Sequence, residues 1–280
     1  MNKINDTLII PDVQSDLDER KISINKVGIK SIKHPVEFDL KQNITNAIGT
    51  FEMYVNLPPT QKGTHMSRFV EILGTSPVQL NFNTFKTLTF SIKDKLEARD
   101  AFVSVEFDVF LKKTAPVSGV ESLLDYNIHI ESSLENNIFS PYITVKVPVK
   151  SLCPCSKGIS DYGAHNQRSI ITIKTNWSDG LNIVDLIDVA ESSSSCEIYG
   201  LLKRGDEKYV TEKAYDNPKF VEDTVRDISL KLNKLSSVNT YFISSENFES
   251  IHNHSAYAEI HRDSIYYLLI LIFFWFDFLI

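Results

Sequence analysis

Within Ala101–Lys112, Val103, Val105, Phe107 and Val109 alternate with Ser104, Glu106 and Asp108. A period of two places one row of side chains on each side of a strand, one apolar and one wetted. Such a strand needs hydrogen-bonded neighbours and a second layer to cover its apolar face, and this limits the chain to sheet-plus-helix or sheet-on-sheet architectures. The same alternation recurs around Lys26–Ile32, Val36–Leu40, Asn46–Leu57 and Asn127–Ser133, with Pro58-Pro59 closing the early run. Between these strands the spacing changes. The segment beginning at Gly63 predicts a helix capped by Ser67 ahead of Phe69, Val70, Ile72 and Leu73. A longer helical face follows through Phe85, Leu88, Ile92 and Leu96.

The order strand, strand, helix, helix, strand, strand then repeats loosely. Tyr142–Val149 and Ser169–Asn176 read as strands, Asn182–Leu202 as helical, and Asn217-Pro218 as a cap and first position of another helix. That helix carries Phe220, Val221, Val225, Ile228, Leu232 and Leu235 on one face, and Thr240–Ser244 and Ala256–Ile260 close as strands. The expected fold class is α+β: two antiparallel ββαα-type units with helices on one sheet face. The expected organisation is a loose arm over residues 1–20, a first unit over 21–125, a second over 126–260 and an apolar tail over 261–280.

Composition narrows the function. A net charge of −7 argues against broad nucleic-acid binding, which needs a basic footprint. Three cysteines in 280 residues do not make a disulfide framework and fit a reducing, cytoplasmic setting. The N-terminus lacks the apolar segment of a secretory signal. The tail Ile265–Ile280 is apolar except for Asp277 but shorter than the roughly 20 residues that span a bilayer. It reads as a buried terminal strand, an atypical end of the reading frame, or, less favoured, a segment in contact with a membrane.

One stretch is too rich in polar chemistry for core packing. Ser151 to Arg168 reads SLCPCSKGISDYGAHNQR, directly after a hydrophobic strand. Cys153, Cys155 and His165 are candidate metal ligands, because thiolate sulfur and imidazole nitrogen are the donors of zinc-type sites that keep a position open for water. Carboxylates to complete such a set come from Leu202–Asp216 and from Val221-Glu222-Asp223, and Ile251–His254 supplies two further imidazoles. Each has a blander alternative: Glu222 as an acid in a helix's first turn, Lys203, Arg204, Lys208 and Lys213 as a solvated face, Cys196 as a buried filler, His34 and His129 as ordinary histidines. No P-loop or Rossmann glycine pattern is present.

The blocks LCPCSKGISDYGAHNQR, LKRGDEKYVTEKAYDNPKFVEDTVRD and ENFESIHNHSAYA, with GTHMSRFVE in the first half, resemble the signature blocks of the type IB GTP cyclohydrolases. The resemblance runs from about Lys26 to Ile260. It implies a tunnelling fold, a homotetramer with active sites at subunit interfaces, and conversion of GTP and water to 7,8-dihydroneopterin triphosphate and formate. It implies a divalent metal (zinc, manganese or iron) and no organic cofactor. Such a metal lowers the pKa of water near neutral pH for attack at guanine C8.

Carried over by motif, Cys153, His165 and Glu207 would be the metal ligands, with Cys153 also catalytic and Cys155 the alternative thiol. His252, and more weakly His254, would shuttle protons. Glu222 would anchor the guanine N1–H and amino group. Lys157, Arg168, Lys203 and Arg204 would hold the triphosphate, and His65 and Arg68 would enter from a neighbouring subunit. Two rivals stand beside this: a tunnelling-fold nitrile reductase, which would consume NADPH without a catalytic metal, and a non-catalytic metal-stabilised scaffold, in which losing Cys153 would cost stability and no turnover.

Overall fold

The computed structural model describes residues 12–40 and 43–263. The tail expected over 261–280 lies outside the described residues from 264 onward, as do the first eleven residues of the arm. The rest of the arm is not loose: a short 3-10 turn at Val13–Ser15 leads to Leu17, which bridges to Gln61, and the Asp18 N–H donates to the Thr60 carbonyl.

In the first half, strands β1 (Ile24–Leu40) and β2 (Asn43–Leu57) are followed by α1 (Met66–Leu73), β3 (Val78–Leu80), α2 (Phe82–Lys95), β4 (Ala101–Thr114) and β5 (Glu121–Glu135). The second half continues with β6 (Ile138–Leu152), α3 (Pro154–Ile159), β7 (Asn166–Asn176), α4 (Ile183–Glu191) and β8 (Cys196–Glu197). It ends with α5 (Arg204–Asp216), α6 (Val221–Leu232), β9 (Tyr241–Asn247) and β10 (Ala256–Arg262). The strands form one sheet in the order β10-β9-β7-β6-β5-β4-β2-β1-β3, with β8 pairing β6 beside that path. Among the described residues only the β1–β3 pair is parallel.

The expected α+β class, with helices on one sheet face, is met. Alternation on β4 buries Ala101, Val103, Val105, Phe107 and Val109 on one face, and the matching rows of β5, β6, β7 and β9 join them in a single core. Helices α2, α4 and α6 close that core with Phe85, Leu88 and Ile92, with Leu186 and Ile187, and with Val225, Ile228 and Leu232. The opposite face carries Lys26, Glu52, Tyr54, Ser104, His129 and Glu131 around an open polar cavity of about 420 Å³. Residues 125 and 126 both fall within β5, and the tight turn at Asn136-Asn137, both with positive φ, separates the two sets of strands.

Several local expectations need correction. The two early strands are one long β1, irregular near Ser31, whose φ is +58°. His65, not Ser67, precedes α1, and no side chain caps it. The helix expected over Asn182–Leu202 stops at Glu191. Ser192, Ser193 and Ser194 turn their hydroxyls back onto the last carbonyls, and Cys196-Glu197 then pairs with β6. Asn217 ends α5 rather than opening a helix: its side chain donates to the Ser194 and Ser195 carbonyls, and α6 begins at Val221.

An aromatic joint connects the halves. Phe82 and Phe85 of α2 meet the Trp177 ring edge-on at 6.1 and 5.7 Å. Phe85 is fully buried. Phe85→Ala is expected to lower unfolding free energy by about 3–5 kcal/mol in urea melts. A loss of ~1 kcal/mol or less would show that this joint does not tie the halves together.

Candidate functional site

The site begins where the core rows of three neighbouring strands change character. On β6 the buried row runs Val145, Val147, Val149 and then Ser151. On β7 it runs Ile173, Ile171 and then Ser169 and Gln167. On β9 it runs Ile243 and then Ser245 and Asn247. Residues two apart on a strand share a face, so continuing each row one step beyond its strand reaches Cys153, His165 and Glu249.

Register brings the first two together. Ser151 pairs with Gln167 and Leu152 with Asn166. The next rung is Cys153 opposite His165, and the Cys153 N–H donates to the His165 carbonyl at 3.2 Å. The loop between them is closed from inside by Ser156: its Oγ accepts from the His165 N–H and donates to the Cys153 carbonyl, both at 3.2 Å. Cys153 caps α3, its Sγ accepting from the Ser156 N–H at 3.5 Å, and Pro154 occupies the helix's first position.

The imidazole is held from the side. His165 Nδ1 lies 3.0 Å from Gln167 Oε1 and 3.7 Å from Glu249 Oε2. Gln167 Nε2 in turn donates to Ser151 Oγ at 2.9 Å, and Ser169 Oγ donates to Ser151 Oγ at 3.0 Å. With its amide nitrogen donating to Ser151, Gln167 turns its oxygen to His165, so Nδ1 carries the proton and Nε2 is the nitrogen left to bind a ligand. This is the outer arrangement that metal-bound histidines require. The donor types, thiol, imidazole and carboxylate, suit a borderline metal. Cys153 and His165 are already neighbours, although among the described residues no three His, Cys, Asp or Glu side chains of this chain converge to hold an ion.

The remaining expected residues are distributed around this pair. Glu207 is exposed in the first turn of α5 and shares a helix face with Thr211 and Tyr215, which line a cavity with Ala164 and Asn166, the neighbours of His165. Glu222 is exposed in the first turn of α6, whose approach is tied to the site by the Lys219 N–H donating to the Leu152 carbonyl. His252 and His254 are exposed just beyond Glu249, their rings stacked at 5.1 Å and 10°. Lys157 donates to the Tyr215 carbonyl and covers that ring at 4.2 Å.

Lys203 and Arg204 are exposed at the start of α5, while Arg168 is on the face of β7 opposite Gln167. Cys155 is exposed on α3, and Cys196 is buried, which pushes its thiol up to about 11. His65, near Asp12, and Arg68, bonded to the Lys95 carbonyl, belong to the far half of the sheet. Gln167 and Glu249 are the site residues that the sequence reading passed over. The first was detectable from its two-residue spacing to His165, the second only from the β7–β9 pairing.

Residues 10–258 match the family model described as type I GTP cyclohydrolase folE2. A GTP cyclohydrolase FolE2 of Thiobacillus denitrificans is 51% identical over 265 residues, covering 94% of this chain and 98% of that protein. One of Dechloromonas aromatica is 52% identical over 255 residues, covering 91% and 94%. Among solved structures, uricase from Arthrobacter globiformis aligns with a TM-score of 0.48 and 6% identity over 85% of this chain and 94% of that one, too loose a likeness to carry an argument. Agreement this extensive with the cyclohydrolases, spanning both halves of the sheet and every block around the Cys153–His165 rung, means that the chain belongs to the type I GTP cyclohydrolase FolE2 family and is an enzyme of that kind.

Proposed function

We propose that Cys153, His165 and Glu207 hold the divalent metal of this GTP cyclohydrolase, that Glu222 holds the guanine, and that a basic rim holds the triphosphate. The reaction is hydrolytic opening of the guanine imidazole ring: GTP and water give 7,8-dihydroneopterin triphosphate and formate, at the entry to folate synthesis. The observation that carries the residue assignment is the Cys153–His165 rung, locked by Gln167 and Ser156 at the point where three core rows turn polar.

A divalent metal held by Cys153, His165 and Glu207 would supply Lewis-acid activation of water. A sulfur, nitrogen and oxygen donor set suits zinc and also admits manganese or iron. Cys153 is favoured over Cys155 because it occupies the rung opposite His165, whereas Cys155 is exposed on α3. The Gln167 amide holds the His165 ring through Nδ1, which leaves Nε2 as the nitrogen to ligate. His252 and His254 supply imidazoles beside the site as the proton carriers for hydration and formate release. Of the two, His252 is nearer in sequence to Glu249.

Glu222 offers both carboxylate oxygens to the guanine N1–H and amino group, a two-point contact that rejects bases lacking that donor pair. Lys157, Lys203 and Arg204 lie on the α3–α5 side, where a polyphosphate would be neutralised. Arg168, on the other face of β7, would reach a triphosphate through a second copy of the chain. Exposed Ile159, Tyr162, Phe220, Phe248 and Ile251 around the site support a homotetramer with sites at its interfaces. Among the described residues no helix is long and apolar enough to cross a membrane; we place the enzyme in the cytoplasm on its cysteine usage.

Metal-stripped protein is expected to release no formate from GTP and to regain release, with a fluorescent pterin after oxidation, on adding manganese or zinc. Turnover that survives chelation, or NADPH consumption with a deazapurine nitrile, would contradict the assignment. Glu222→Ala is expected to raise KM for GTP by roughly 10- to 100-fold with kcat changed far less; an unchanged KM would remove Glu222 from the guanine contact.

A further inference from the structure

We infer that Asp206 is a positioning residue that fixes the first turn of α5 and thereby aims Glu207 at the Cys153–His165 pair; this rests on Glu207 being a ligand. Asp206 is a fully buried carboxylate whose oxygens accept four hydrogen bonds. The Val117 and Ser118 N–H groups donate to Oδ1 at 2.8 Å each. Ser118 Oγ donates to Oδ2 at 2.5 Å, and the Lys203 N–H donates to Oδ2 at 2.8 Å. One side chain thus caps its own helix and grips the β4–β5 turn, a part of the first half that is distant in sequence.

Two glycines permit this contact. A Cβ on Gly200 would lie 2.6 Å from the Leu123 carbonyl oxygen, and one on Gly205 would lie 3.2 Å from Val117 Cγ1. The chain entering α5 is therefore pressed against the hairpin, and Asp206 locks it there. A second clamp holds the helix further along: Lys213 Nζ bonds Glu197 at 2.6 and 2.8 Å, and Glu197 is on β8, which pairs with Lys150 and Val149 just before the site. With both clamps in place, α5 cannot roll about its axis, and the direction of Glu207 is set by its neighbour's four bonds.

Metal affinity of the full chain, read with Mn²⁺ alone by competition against a fluorescent chelator, tests this. Asp206→Asn is expected to weaken Mn²⁺ binding by roughly 10- to 100-fold. Ser118→Ala removes a bond from the hairpin side and leaves the Lys203 cap intact; it should shift affinity in the same direction by less, so the test survives if Asp206→Asn fails to fold. In a Glu207→Ala background neither substitution should weaken binding further. Unchanged affinity in the folded variants, or an equal further loss in the Glu207→Ala background, would overturn the positioning role while leaving Glu207 a ligand. Wild-type affinity in Glu207→Ala alone would remove Glu207 as a ligand, and the role of Asp206 with it.

Discussion

The antiparallel register of β6 on β7 is the constraint on which the site depends. Pairing Leu152 with Asn166 makes Cys153 and His165 the next rung, whatever the intervening loop does. A slip of one residue would send one of the two side chains to the opposite face and part the pair. The register is itself fixed by burial: Val145, Val147 and Val149 and Ile171 and Ile173 must face the helices, because water on those rows would forfeit the core. The apolar rows that hold the sheet together therefore also deliver a thiol and an imidazole to one place.

The polar ends of the β6 and β7 rows are satisfied rather than merely tolerated. Buried hydroxyls and amides cost free energy unless paired, and Ser151, Ser169 and Gln167 pair with one another before reaching His165. The same economy governs α5, where a buried carboxylate is stabilised by four donors that hold it well below the usual carboxylate range despite desolvation. The β6–β7 ladder leads to Cys153 and His165; α5, which bears Glu207, is held to the β4–β5 turn by Asp206, and the chain entering α6, which bears Glu222, is held to Leu152 by the Lys219 N–H. The fold thus combines residues far apart in sequence while seating Cys153 and His165 on the rung that continues the β6–β7 ladder.

Much of this was legible in the sequence. The alternation over β4 and the helical face of α2 are strong, long signals, and both elements form where expected. The Cys/His stretch declared itself by composition. What stayed hidden was set by tertiary contacts. Asn182–Leu202 has helical composition, but serine hydroxyls compete for the carbonyls after Glu191 and β6 offers Cys196-Glu197 a vacant pairing edge. Asn217 carries the cap signature of a helix start, yet its amide is spent on the Ser194 and Ser195 carbonyls. Glu249 could not be assigned, because only the pairing of β9 with β7 brings it beside His165. The type IB resemblance carries the function, and the register is the physical reason its cysteine and histidine lie side by side.

The most direct test of that account is X-ray absorption on the zinc-loaded protein. A sulfur shell at about 2.3 Å with imidazole scattering, lost in Cys153→Ala and kept in Cys155→Ala, is the predicted result. Coordination by oxygen and nitrogen alone, or sulfur scattering that survives Cys153→Ala, would contradict it.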